Sequence, residues 1–211
     1  MAETLTAEAP RILLTPPVSE HDHAQGLATA AITLVEYGDY HDPWCAAAQP
    51  WIKALQARMG DRLRLVFRHF PASRLPPHAA EAAEAAGLQG RFWEMHDTLF
   101  EHQTALGSGH LVEYARDLEL DMSPFLRDMT KHLSAERVWL DLASGRQSGV
   151  RDTPAFFVNG VRQPSAWKWG LASILAAPAE DGGQIGRWDD DGGPPALDGT
   201  GEEHGEERNA L

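Results

Sequence analysis

The amino-acid sequence predicts an α/β domain in which a β-α-β half and a β-β-α half are separated by a block of helices. Three features carry that reading. Ala31–Tyr37 is a short apolar run rich in strand formers, followed by a helix opening at Asp42-Pro43 and by the alternating run Arg62–Arg68. From Pro77 to Gln147 the apolar residues recur instead at helical spacing. Ala155–Val158 and Val161–Gln163 then flank Asn159-Gly160, a dipeptide suited to the twist of a tight hairpin.

Each element has a local cause. Ala31-Ile-Thr-Leu-Val-Glu-Tyr37 reads as a buried strand that Gly38 ends. Asp42 is a good N-cap, and Pro43 suits the first helical position because the amide proton it lacks would be unpaired there anyway. The helix continues through Ala46–Ala48 and Trp51–Met59 and stops at Gly60, with a kink expected at Pro50. Arg62–Arg68 alternates charged and apolar residues, and a right-handed crossover makes it parallel to the first strand. In the helical block, His78–Ala86 is alanine-rich, and Phe92, Met95, His96, Leu99 and Phe100 fall on one helical face. Leu111–Leu120 is the third helix, Ser123-Pro124 opens a fourth toward His132, and Ser134 caps a fifth that runs to Ser144. Ser165–Leu175 reads as a closing helix.

The 211 residues carry 18 basic and 31 acidic side chains, a formal net charge of −13. That balance argues against nucleic acid, which needs a basic footprint, and against anionic membrane surfaces. No apolar stretch has the length of a membrane span. Met1–Gln25 lacks a basic start followed by a continuous apolar segment, so the expected location is cytoplasmic, which also suits a lone thiol. The single cysteine, Cys45, excludes an intramolecular disulfide. Glu180–Leu211 holds ten acids, two arginines and eight glycines, and has too few apolar side chains to offset the entropy of ordering. The expected organisation is a flexible segment over residues 1–19, one domain over 20–178 with its helical insertion at about 77–147, and a disordered acidic tail over 179–211.

The candidate chemistry lies where the first strand hands over to the first helix, in Gly38-Asp-Tyr-His-Asp-Pro-Trp-Cys45. A helix N-terminus presents unpaired N–H groups and favours an anion by about 0.3–1 kcal/mol. Asp42 supplies that anion permanently. Cys45 lies three residues further on the same side of the helix. A carboxylate neighbour and burial both disfavour thiolate, so Cys45 is expected to be a sluggish nucleophile or simply a small buried hydrophobe. Glu36 is either a core-facing acid in line with Ile32 and Leu34, and then a functional candidate, or a solvated edge residue. Thr153-Pro154 enters the last strand pair directly, and sequence physics alone does not make that bond cis. His21, His23, His41 and Asp42 could converge on a cation. Clusters in a lead segment are not a closed four-ligand site, however, so no metal and no cofactor is expected.

Taken together, these segments resemble the DsbA-like branch of thioredoxin-fold proteins, a bacterial thiol–disulfide oxidoreductase lineage. The resemblance runs from about His21 to Leu175. It is carried by Thr33-Leu-Val-Glu-Tyr-Gly-Asp-Tyr40, Val66-Phe-Arg-His-Phe-Pro71, His78-Ala-Ala-Glu-Ala-Ala83, Phe92-Trp-Glu-Met-His-Asp97, and Ser148-Gly-Val150 with Thr153-Pro-Ala-Phe-Phe-Val-Asn-Gly160. It implies a thioredoxin-like fold with a multi-helix insertion. It places Glu36 at the buried acid that assists proton movement, Pro50 at the helix kink and Pro154 at the cis-proline beside the active site. It also reads His69, His78 and His96 as structural. In the family the segment matching Asp42-Pro-Trp-Cys45 is Cys-Pro-x-Cys, so Asp42 stands where the attacking cysteine belongs and Cys45 matches the resolving thiol. The resemblance therefore implies a relative without dithiol turnover that keeps a site for an extended peptide or protein client at the Thr153-Pro154 loop. Two alternatives stand beside it: monothiol chemistry at Cys45, such as glutathionylation or sulfenic acid formation, and a glutathione-dependent transferase or isomerase, whose relatives carry serine at the Asp42 position.

Overall fold

The computed structural model describes residues 12–72 and 77–163. The closing helix expected at Ser165–Leu175, the acidic tail and residues 1–11 lie outside the described residues. The elements run β1 (His23–Gln25), β2 (Ile32–Gly38), α1 (Pro43–Met59), β3 (Leu63–His69), α2 (His78–Gly87), α3 (Phe92–Glu101), α4 (Ser108–Asp117), α5 (Met122–Lys131), α6 (Ala135–Gln147), β4 (Ala155–Val158) and β5 (Val161–Arg162). The strands form one sheet in the order β1-β3-β2-β4-β5, with β2 and β3 parallel and the other neighbours antiparallel. This is the expected thioredoxin-like architecture, with α2 to α6 inserted between the halves.

Both faces of the sheet are covered. On one, Phe67 and Tyr40 pack with Cys45 and the helices of the insertion. On the other, Val35, Tyr37, Val66, Ala155 and Phe157 pack with Leu142 of α6 and with Leu14. Double coverage explains why β3, which reads as an alternating strand, buries Arg68 as well. All five guanidinium donors of Arg68 find acceptors: Nε and Nη2 pair with the two oxygens of Asp22 at 2.7 and 3.1 Å, and Nη1 and Nη2 reach the Tyr37 hydroxyl and the carbonyls of Pro16 and Pro17. The lead segment is correspondingly not free over residues 12–19, against the expectation for 1–19. Leu13 bridges Val161, Leu14 is buried, and the Thr15 N–H donates to Ser148 Oγ. β1, which sequence patterning does not single out, exists because β3 offers it an edge.

Several helix ends differ from the local reading. α4 begins and ends three residues earlier than Leu111–Leu120: the Leu120 N–H donates to the Ala115 carbonyl and that of Glu119 to Arg116, which closes the helix with Glu119 in the left-handed region. Asp121 rather than Ser123 caps α5, its carboxylate accepting from the Ser123 N–H. Ser134 caps nothing with its side chain and donates instead to Asp128. α6 runs past Ser144 through Gly145, where a Cβ would come within 2.5 Å of the Phe70 ring, so glycine there serves packing rather than termination. The expected hairpin turn holds, with Asn159 and Gly160 both at positive φ.

A second polar cluster joins the sheet to α2. Glu84 accepts from His69 at 2.9 Å and from His23 at 2.9 and 3.0 Å, while His23 stacks on Phe92. Burial raises Glu84, but its bonds to the two imidazoles and their charge outweigh that and hold it down at about 2. A depressed carboxylate stabilises the fold above its unfolded value near 4.5 and loses that contribution as pH falls toward 2. The linkage is worth up to about 3 kcal/mol. Glu84→Gln should therefore lower the urea midpoint at neutral pH and flatten its fall through that acid window. An unchanged acid profile would refute the assignment.

Candidate functional site

The site forms at the N-terminus of α1, where the chain leaves the central strand β2 and the first-turn amides need acceptors. Asp42 is the N-cap, in extended conformation. One carboxylate oxygen accepts from the Trp44 N–H at 2.9 Å. The other accepts from Thr153 Oγ1 at 2.6 Å and from the Cys45 thiol at 3.5 Å. The Thr153–Pro154 bond is cis, and both residues are half-buried just ahead of β4. Asp42, Cys45 and the Pro154 loop thus meet, although Thr153 lies 111 residues from Asp42 along the chain. Gln103 closes the other side, its amide donating to the Asp42 and Tyr40 carbonyls at 2.8 and 3.0 Å. Trp44, at 64% exposure, projects from the same turn.

Cys45 has no exposed surface. Its sulfur accepts from the Asp39 N–H at 3.4 Å and donates to Asp42. Burial pushes the thiol far up, and the carboxyl groups of Glu36 and Asp42 push it in the same direction against the Asp39 amide. Glu36 lies beneath, on the central strand between Phe67 and Phe156, and is 1% exposed, which places it on the core side of the two positions open to it. Among the described residues its carboxyl group accepts from Gln49, whose amide lies 3.4 Å from both carboxyl oxygens and from the Cys45 carbonyl. At that distance the bonds are weak. Burial therefore dominates and, with the charge of Asp42 adding to it, raises Glu36 to about 8. Glu36 is a neutral acid at pH 7.

Sequence reasoning missed four contributors: Thr153 as the hydroxyl on Asp42, Gln103 and Gln49 as amide clamps, and Asp39, whose carboxylate accepts from the backbone of His41 and Ala72. Asp39 stands in the quoted motif and could have been weighed as a turn-forming acid. Gln49 lies on α1 one turn beyond Cys45, a spacing that places the two on one helix face, whereas Thr153 and Gln103 are brought in from distant elements and carry no local signal. The histidines of the lead segment do not converge on Asp42. His23 is held by Glu84, and His41 faces Asp39 at 3.5 Å.

The two buried acids titrate in opposite senses. A carboxyl raised in the folded state gives full stability below its unfolded value near 4.5 and loses it as pH rises through about 8. Glu36→Gln, which keeps the shape without the charge, should match the wild type near pH 4 and exceed it at pH 8 by up to about 5 kcal/mol. Denaturant midpoints for the two proteins that stay parallel across that range would show that Glu36 is not held neutral by burial.

Comparison with known proteins agrees with this fold. A family model described as thioredoxin matches residues 18–169. Among solved structures, a thioredoxin-like oxidoreductase from Silicibacter pomeroyi DSS-3 superposes with a TM-score of 0.64 at 24% identity, covering 76% of this chain and 95% of that one. The α-DsbA1 of Wolbachia pipientis does so with a TM-score of 0.63 at 17% identity, covering 75% and 90%. At these identities the likeness is one of fold. Among curated relatives, the Na(+)/H(+) antiporter NhaA 1 of Salinispora arenicola is 38% identical over 181 residues, which is 84% of this chain and 28% of the antiporter. The chain spans about a quarter of the length of the curated relatives it matches. Among the described residues no helix is long and apolar enough to cross a membrane. On the family match over residues 18–169, the chain belongs to the thioredoxin family, and it shares the fold of the DsbA-like structures.

Proposed function

We propose that this DsbA-like protein has exchanged dithiol turnover for binding: it holds an extended peptide or a protein client at the Thr153–Pro154 loop without oxidising or reducing it. The observation that carries the reading is a carboxylate held on three donors in the seat of the attacking sulfur, above a thiol with no exposed surface. Exchange needs a thiolate that reaches the client and a second thiol that resolves the mixed disulfide. Asp42 keeps the charge and capping role of such a thiolate and cannot form an S–S bond. Cys45 would have to shed burial and two carboxyl neighbours before it could attack, which also counts against monothiol and glutathione-linked readings. Around this closed centre the half-exposed Thr153–Pro154 segment at the start of β4 and the projecting Trp44 offer backbone and an aromatic face to an extended chain.

Insulin reduction in the presence of dithiothreitol tests the loss. The wild type should add nothing to the uncatalysed rate, whereas Asp42→Cys should accelerate it at least about tenfold, a barrier change of about 1.4 kcal/mol. Catalysis by the wild type that Cys45→Ser abolishes would overturn the proposal. Quenching of Trp44 fluorescence by reduced, carboxymethylated insulin B chain, weakened in a Trp44→Phe or Thr153→Ala background read by anisotropy of the labelled chain, tests the binding half.

A second reading is favoured by the relatives, which are sodium/proton antiporters matched over about a quarter of their length. On that reading the chain serves an antiporter as a companion domain. Purified protein added to vesicles bearing the Salinispora arenicola antiporter, shortened by its matching region, should alter the exchange rate, and an unaltered rate would remove this reading.

A further inference from the structure

Away from the α1 terminus, the start of α2 and the end of α5 bring together two imidazoles and a carboxylate. His78 is the first residue of α2, and Glu81, one turn on, shares its face. His132 closes α5 in the left-handed conformation, φ 51° and ψ 41°, a backbone that few residues other than Gly and Asn adopt readily. Its Nδ1 lies 2.7 Å from Glu81 Oε2, and its ring is 5.6 Å from that of His78 and tilted by 32°. One donor atom from each of the three residues falls within 4.8 Å of the others. The Glu81 side chain is 1% exposed and that of His132 is 45% exposed, so the cluster is anchored in the interior and open to water on one side. Among the described residues the Glu81 carboxylate pairs with His132.

We infer that His78, Glu81 and His132 form a binding site for a divalent transition-metal ion of the zinc class. Two neutral imidazoles and one carboxylate are the donor set such ions take, and three protein ligands leave a position for water. Metal–ligand bonds of about 2.0–2.1 Å require ligand atoms roughly 3.3 Å apart. The Glu81–His132 pair must therefore open slightly and the half-buried His78 ring must swing in, both within the reach of side-chain rotation. On binding, the proton on His132 Nδ1 moves to Nε2 or is released to water, and the ion takes its place against Glu81. A buried carboxylate facing a single half-exposed imidazole is incompletely compensated, and a dication compensates it directly. The bound ion would clamp the start of α2 to the end of α5. His78 then has a ligand's role in place of the structural one that the resemblance assigns it.

Zinc alone, titrated calorimetrically into the full 211-residue protein, should bind with one tight equivalent. His132→Asn is the informative variant, because Asn tolerates the left-handed backbone and its amide can still donate to Glu81, so the fold is kept while a strong ligand is lost. It and His78→Ala should each weaken that equivalent about a hundredfold or more, whereas His110→Ala, at an exposed histidine on α4, should not. Zinc at a hundredfold excess over Kd should raise the melting temperature of the wild type by roughly 5–10 °C and leave that of His132→Asn in place. Cobalt as a spectroscopic probe should give visible bands of a nitrogen and oxygen site without a thiolate charge-transfer band, which separates this cluster from Cys45. Equal zinc affinity in the wild type and both ligand variants, no binding by the wild type at millimolar zinc, or a thiolate band would overturn the inference.

Discussion

The carboxylate of Asp42 is the joint on which the site turns. It satisfies the first-turn amide of α1, accepts the Thr153 hydroxyl at the entry to β4 and receives the Cys45 thiol. Each neutral hydrogen bond of this kind contributes about 1 kcal/mol, and those to an ionised oxygen contribute more. The same group that ties helix to loop also places a fixed negative charge at the positive end of the helix dipole, where a reactive lineage member would stabilise a thiolate. Asp42 thus caps the helix and carries the negative charge there, and on the proposed reading it does so in place of covalent chemistry. What is left at the surface is a half-exposed loop, a projecting indole and a helix terminus already occupied by its own side chain.

Glu36 and Glu84 show how neighbours rather than residue type set behaviour in this interior. Both are glutamates with less than a tenth of their surface exposed. Glu84 sits between His69 and His23 and is held ionised by direct bonds to both. Glu36 has one amide at 3.4 Å and a repelling carboxylate nearby, so desolvation prevails and it keeps its proton. Burial and the carboxyl groups of Glu36 and Asp42 together push the neighbouring Cys45 thiol up, and that thiol has no exposed surface.

The scaffold that holds this arrangement depends on long-range polar links as much as on apolar packing. Arg68 fastens the segment from Pro16 to Asp22 onto β3, and Tyr37 passes that network to Ser144 on α6. Removing either member of the Arg68–Asp22 pair would leave a buried charge without compensation, which is far costlier than the pair itself is stabilising. This makes residues 12–22 part of the folded unit and not a lead to it.

Where local terms dominate, the chain declares its structure in its residues. Asp42-Pro43 opens a helix by capping, Gly60 at positive φ ends it, Asn159-Gly160 turns a hairpin, and the apolar stripe from Phe92 to Phe100 is buried as its spacing requires. The motif itself was equally legible, because Asp42, Cys45, Glu36 and Pro154 lie in short recognisable segments. Tertiary structure decided the rest. The passage of α6 through Gly145, the burial of Arg68 and the pairing of β1 each depend on a partner supplied by another element. So do the two facts on which the proposed function rests, the Thr153 hydroxyl on Asp42 and the absence of any exposed surface on Cys45. Capping, turn and periodicity energies act within a few residues and are therefore written along the chain. Burial and proton affinity are properties of an environment assembled from residues more than a hundred positions apart, and they exist only once the fold has formed.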